Sequence, residues 1–338
     1  MAFKQWLQGR LRYEQAERIR GALCNVLFLS GLGWLLTRGR PRGATVLIYH
    51  SVGGVGTFTD NVIPADAFDA QMRFVRANFQ PVPLSRIRGA LCEGRAPDPS
   101  WVAVTFDDGY SDFVSNALPI LKRHDVPASL FVPTAILDGQ ELFFDEVERL
   151  VQTAHDREIT VELRSGALSF DLGSPQARRD ASLRLALALR QLGPEDRDAG
   201  LAALRAASGA GAVAGSGLYV TRDDLRALPD WIEVGSHSAG HFCLAQLSDA
   251  HLERELSESS RRLAQIRGRD VISLAYPFGK PWSFDARVLK AAESAGYLLA
   301  LTTVPGQVHA GANPLAIPRI AGSRSLSRLR LNLMGLTV

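Results

Sequence analysis

From residue 44 onward the chain alternates short apolar runs with longer stretches whose apolar residues recur at helical spacing. ATVLIYH (44–50) reads as a buried strand, and after a Gly-rich polar loop AFDAQMRFVRANF (67–79) reads as an amphipathic helix. WVAVTF (101–106) and ASLFVP (128–133) are strand-like, with the helical VSNALPILKRH (114–124) between them. The series resumes with WIEVGSH (231–237), a helix over LERELSESSRRLAQI (252–266), VISLAYP (271–277), a helix over ARVLKAAESAG (286–296) and YLLALTT (297–303). Strands alternating with helices predict an α/β fold with a mainly parallel sheet or barrel.

Between about residues 135 and 221 this rhythm breaks. ELFFDEVERLVQTAH (141–155) and RRDASLRLALALRQL (178–192) read as helices, and EITVELRSGALSFDL (158–172) between them as a polar-alternating hairpin. The stretch ends in AASGAGAVAGSG (206–217), whose composition buries little surface and suits a flexible return. We therefore expect a mainly helical insertion in a unit spanning 44–338.

The 38 Lys and Arg against 35 Asp and Glu leave a net charge of +3, which excludes a strongly basic nucleic-acid binder. The charge is unevenly placed, with net +6 on residues 1–43 and net −3 on the rest. Inside that basic segment, Gly21 to Thr37 is an almost uncharged apolar run, at the short limit of the roughly 17–25 residues that span a bilayer. Two readings stay open: a helix lying on an anionic membrane surface, or a helix packed on the body. Cys24, Cys92 and Cys243 are odd in number and far apart, so neither a disulfide framework nor a cysteine metal site is expected. Reduced thiols lean toward a cytoplasmic location, at the inner face of the membrane if the first segment binds it.

Two constellations carry chemistry. WVAVTF runs into Asp107, Asp108 and Gly109, placing adjacent carboxylates at the carboxyl end of a buried strand, where α/β folds build their sites. Gly109 offers the turn that brings both toward one pocket, although an Asp-Asp-Gly turn is common for purely local reasons. His237 and His241 again follow a strand, and either a helical turn or a loop at Gly240 can present both imidazoles to one ion. Ser238 stands where a H-E-x-x-H protease has Glu, which disfavours that class. An Asp and two His leave an open position on a zinc-like ion, and a spare carboxylate can accept a proton from water made acidic there.

These stretches, TFDDGYSD (105–112), SHSAGH (236–241) and AYPFG (275–279), occur in the order and context of the three motifs of the polysaccharide deacetylase family, carbohydrate esterase family 4 with its chitooligosaccharide deacetylase homology domain. The resemblance covers most of residues 44–320 and implies a distorted (β/α) barrel that removes acetyl groups from an acetylated glycan. It implies Asp107 as catalytic base, Asp108, His237 and His241 as ligands of a divalent metal ion, and the Phe278 amide as oxyanion donor. Zinc suits that donor set best, with cobalt, nickel and manganese chemically tolerable. The start LIYHSV resembles the exopolysaccharide subgroup and implies His50 near the substrate.

The chain departs from the family twice. Ala275 stands where the third motif usually opens with an Arg that orients the base, and Arg319 in IPRI is a candidate substitute from a neighbouring strand. The usual general-acid His near the carboxyl terminus has only His309 as a candidate. Trp282 and Tyr276 are candidates for stacking on a sugar ring. The rival readings are an amidase acting on a non-sugar C–N bond and a catalytically silent glycan-binding module.

Overall fold

A computed structural model describes residues 43–54, 62–210 and 217–334, together with Val26. Apart from Val26 and Gly43, the basic segment 1–43 with its apolar run lies outside the described residues, as do residues 211–216 of the Ala/Gly return. Among the described residues no helix is long and apolar enough to cross a membrane.

The strands in chain order are β1 (Thr45–Tyr49), β2 (Ser51–Val52), β3 (Val62–Ile63), β4 (Gln80–Pro81), β5 (Trp101–Phe106), β6 (Ala128–Val132), β7 (Glu158–Leu163), β8 (Gly166–Asp171), β9 (Ile232–Ser236), β10 (Ser273–Ala275), β11 (Leu299–Leu301) and β12 (Ile320–Ala321). The main sheet runs β11-β10-β9-β6-β5-β1-β12, every pair parallel, with β4 beside the start of β5. Ile317 bridges Leu301 of β11, and three residues later Ile320 pairs with Leu47 of β1. One extended segment thus joins the two ends of the sheet and closes it into the distorted barrel.

TVLIY, WVAVTF and ASLFV are buried at every position, as parallel strands covered on both faces must be. Leu47, Val104, Phe106, Leu130 and Val132 pack outward in one apolar cluster with the surrounding helices, while Val46, Ala103, Phe131, Ala275 and Leu301 form another. Phe131 needs the space left by Gly235, since a Cβ there would lie 2.3 Å from its ring. The helix Asp249–Arg267 begins at Ser248, whose hydroxyl accepts the His251 amide proton, and ends at Gly268 in the left-handed region.

Between β6 and β9 the chain builds the helix Phe143–Thr153, the antiparallel hairpin β7–β8 and the helices Pro175–Leu189 and Pro194–Ser208, with an apolar cluster of their own. The last helix is absent from the sequence reading, because five of its first seven residues are charged or Gly. Its local signals are nonetheless present: Pro194 opens it, Glu195 and Asp196 lie in its first turn, Arg205 in its last, and Gly209 stops it at φ +61.

Substituting Gly235 with alanine is expected to destabilise the protein by about 1–3 kcal/mol, because the new methyl overpacks a ring that has nowhere to move. Urea unfolding measures this, and an unchanged midpoint would show that Phe131 has room.

Candidate active site

The site lies at the carboxyl ends of β1, β5, β9 and β10. After β5, the Asp107 amide still donates to the Tyr49 carbonyl at 3.0 Å, and the chain then leaves the sheet. The turn is made at Asp108, φ +71, as well as at Gly109, φ +69, so part of the conformational cost expected at the glycine falls on the carboxylate itself. Both aspartates are almost fully buried.

Asp107 is held by Arg319. The guanidinium donates from Nη1 to Oδ1 at 2.8 Å and from Nη2 to Oδ2 at 2.7 Å, while Nη1 also reaches Thr105 Oγ1 and Nε donates to the Thr302 carbonyl. Burial raises the Asp107 pKa, but Arg319, followed by His237, outweighs it and holds the carboxyl below its ordinary range. The segment that closes the barrel therefore also supplies the cation missing at position 275.

Asp108 faces the histidines. Its Oδ1 lies 3.3 Å from His237 Nε2 and 3.3 Å from His241 Nε2, and His237 Nε2 is 4.0 Å from Asp107 Oδ2. The His237 amide donates to Val132 O at 3.0 Å, prolonging the sheet by one residue. His237 Nδ1 is 2.7 Å from the Ala275 carbonyl, which can only accept, so Nδ1 carries the proton and Nε2 turns a lone pair toward Asp108 when the ring is neutral. Burial opposes charge on His237, yet Asp107 and Asp108 raise its pKa; burial lowers that of His241, with Asp108 compensating only in part. Burial likewise works against the Asp108 carboxylate, and the two histidines overcome it.

Donor atoms of Asp108, His237 and His241 fall within 4.8 Å of one another, all buried, and Asp108 Oδ1 has no well-formed hydrogen bond. Three lone-pair donors converging with nothing to separate them fit a divalent cation. The spacing of the histidines is that of a loop, since Ser238 (φ +62) and His241 (φ +52) take the left-handed turns and the helical alternative is not realised. Ser238 Oγ accepts the His241 amide at 3.0 Å. Glu255 Oε2 accepts the amides of Ala239 and Gly240 at 3.0 and 2.8 Å, and Arg197 donates to the carbonyls of Gly240 and His241 at 2.9 and 3.1 Å. Neither Glu255 nor Arg197 stands out in the sequence, since each lies in a stretch of ordinary helical charge.

Phe278 also occupies the left-handed region, at φ +64, with Gly279 behind it packed too closely on Thr303 for any side chain. Its ring stands edge-on to His241, centroids 5.1 Å apart, and among the described residues its amide donates to no protein acceptor. His50 ends β1 near enough to lower the pKa of both aspartates. Asp112 accepts from Ser51 Oγ and the Val52 amide and so anchors the turn after it. Asp145, in the insertion, accepts from the hydroxyls of Tyr110 and Tyr219, tying the insertion to the first motif.

Two of the candidates are excluded by their positions. His309 lies beside Gly43 at the beginning of β1, where Val308 bridges Ala44. At about 3.3 Å per residue this is roughly 20 Å from the carboxyl end of the strand, so His309 cannot act as the acid. Tyr276 is fully buried, stacked on Phe284, with its hydroxyl on the Leu315 carbonyl, and cannot meet a sugar. Trp282 remains partly exposed next to Phe278, with Arg190 of the insertion over its ring.

A sequence profile described as polysaccharide deacetylase matches residues 94–177 and 221–300. YxkH of Bacillus subtilis (strain 168), provisionally named a polysaccharide deacetylase, is 20% identical over 296 residues, covering 87% of this chain and 76% of that protein. Among solved structures, the Streptococcus pyogenes deacetylase PplD in complex with acetate matches with a TM-score of 0.58 at 19% identity, covering 87% of this chain and 99% of its own. IcaB from Ammonifex degensii matches with a TM-score of 0.53 at 14% identity, covering 87% and 97%. At these identities the structural likeness is one of fold.

Arg319→Ala is expected to cost about 3–5 kcal/mol at neutral pH, because it strands a buried carboxylate, and Arg319→Lys to recover only part of it. The folded pKa of Asp107 lies below its unfolded value of about 3.9, so this stabilisation is complete above that pH and lost as pH falls through the folded value. Urea unfolding from pH 7 to pH 3 should show the wild type and Arg319→Ala converging in acid; a constant gap would assign the loss to packing.

Proposed function

Because this chain belongs to the polysaccharide deacetylase family, we propose that it hydrolyses the N-acetyl groups of acetamido sugars in a polysaccharide, oligosaccharide or lipid-linked glycan, with a divalent cation held by Asp108, His237 and His241. The observation that carries this reading is the division of labour between adjacent carboxylates: Asp108 faces two imidazoles, while Asp107 is turned onto Arg319. A cation bound there supplies Lewis acidity, polarising the amide carbonyl and acidifying water enough for attack at neutral pH. Imidazole and carboxylate donors suit zinc.

Each residue then has a distinct task. Asp107, kept ionised by Arg319, has lone pairs left on both oxygens and accepts the proton of the attacking water. His237 is fixed in one tautomer by the Ala275 carbonyl, and the orientation of Asp107 survives the absence of Arg at 275 because Arg319 reaches it from the closing segment. The Phe278 amide, which meets no acceptor among the described residues, steadies the negative oxygen of the tetrahedral intermediate. His50, at the end of β1, contacts the substrate. The intact Arg319–Asp107 pair supports catalysis over a silent glycan-binding module. On its +6 charge and apolar run, we also assign segment 1–43 to an anionic membrane surface on the cytoplasmic side.

The protein should release acetate from acetylated oligosaccharides, stop when a chelator is added, and resume with added zinc. Asp107→Asn should lower kcat by about 10²–10⁴ while leaving the bound metal in place. Turnover of a small non-sugar amide without acetate from any sugar would replace this reading. For the membrane assignment, the full chain should sediment with vesicles rich in anionic lipid and stay in solution with neutral ones.

A further inference from the structure

Resting on the reading of Asp108, His237 and His241 as a cation site, we infer that Arg197 of the insertion is a positioning residue for that site, holding the backbone of the metal loop so that His241 faces Asp108. Arg197 lies in the helix Pro194–Ser208 and is 6% exposed. Its guanidinium sits 3.4 Å from the centroid of the Phe242 ring and 5.0 Å from that of Phe143. Its hydrogen bonds go to two main-chain carbonyls, Gly240 O and His241 O. Among the described residues no carboxylate pairs with it at ion-pair distance. A buried cation with no carboxylate in direct contact is costly; burial pushes the pKa down to about 10, offset only in part by Asp198 and Glu255, and the group stays charged at neutral pH. Simple adhesion between insertion and barrel would not require such a group.

The geometry of the loop does. His241 adopts φ +52, a left-handed conformation unfavourable for an L-residue, and it sets the direction in which the imidazole leaves the backbone. The peptides around it are gripped from two directions. Glu255, on the barrel helix Asp249–Arg267, takes the amides of Ala239 and Gly240, and Arg197, on the insertion, takes the carbonyls of Gly240 and His241. Phe144 of the insertion adds an edge contact to the His241 ring, centroids 5.3 Å apart. If Arg197 lets go, the carbonyls lose their donors, the left-handed turn relaxes and His241 Nε2 swings off its line to Asp108. Outer partners of metal ligands typically influence metal affinity about 10–100-fold. By linkage, cation binding must in turn strengthen the docking of the insertion helix.

The test uses the full chain stripped of metal and titrated with Co²⁺, followed by the visible absorption of the bound ion. Arg197→Lys keeps the charge but cannot donate to both carbonyls from one plane, and Arg197→Gln removes the charge. Both are expected to raise the Co²⁺ Kd by about 10–100-fold and to change the shape of the visible bands. Arg164→Ala, which breaks only the surface pair of that residue with Asp196 on the same helix, should leave Kd within about twofold. Wild-type affinity in the Arg197 variants, or an equal loss in Arg164→Ala, overturns the inference. A second readout needs no variant: Co²⁺ should slow amide hydrogen exchange over residues 194–208 of the wild type, and unchanged exchange there also overturns it. A wild type that binds no Co²⁺ would refute the cation site itself, whereas Co²⁺ binding indifferent to Arg197 removes only the positioning role.

Discussion

Two neighbouring carboxylates withdrawn from water at the end of one strand impose the constraint that the rest of this structure answers. Side by side and both ionised they repel, and neither has solvent to screen it. The chain resolves this by splitting them: Asp107 is neutralised by Arg319, and Asp108 is turned away onto the two imidazoles, with which it forms a donor set fit for a cation. The first solution demands that the segment carrying Arg319 run past both β11 and β1, which is the same path that closes the barrel. Barrel closure and carboxylate ionisation are therefore one arrangement seen from two sides, and Ala275 is tolerated because the charge it lacks arrives from elsewhere.

The second solution demands backbone strain. Asp108, Ser238, His241 and Phe278 all sit in the left-handed region without being glycine, and all belong to the loops around the site. Such conformations persist only where the surroundings over-determine them. Here the surroundings are side-chain hydrogen bonds, one local, Ser238 Oγ on the His241 amide, and the others from residues distant in sequence: Glu255 on two amides, Arg197 on two carbonyls and Thr303 Oγ1 on the Phe278 carbonyl. The insertion is part of this bracing, since it supplies Arg197 and Phe144 and reaches the first motif through Asp145.

Much of the fold is legible in the order of residues. Uniformly apolar runs such as WVAVTF and ASLFV mark strands buried on both faces, and the helical periodicities between them mark crossovers, so a parallel α/β sheet follows without further information. The hairpin β7–β8 is legible from its alternation. The helix Pro194–Ser208 is not read correctly, because its charged first half and Gly200 dilute the apolar stripe, even though Gly200 is there to let Leu189 and Leu163 approach.

The cluster at the ends of strands could be read in advance, because a residue that directly follows a buried strand has its position set by that strand; Asp107, Asp108 and His237 are of this kind, while His241, four residues further on, is placed by its loop. Residues in loops had no such anchor. His309 and Arg319 both lie downstream of the third motif, and only the three-dimensional path shows one at the opposite end of the barrel from the aspartates and the other on Asp107. Arg197 and Glu255 carry no local mark, since a charged residue on a helix is ordinary until the partner it meets is known. Local patterning encodes which residues are buried and in what element; which charges face one another is settled by packing, where low dielectric and the need to satisfy every buried polar group leave few arrangements open.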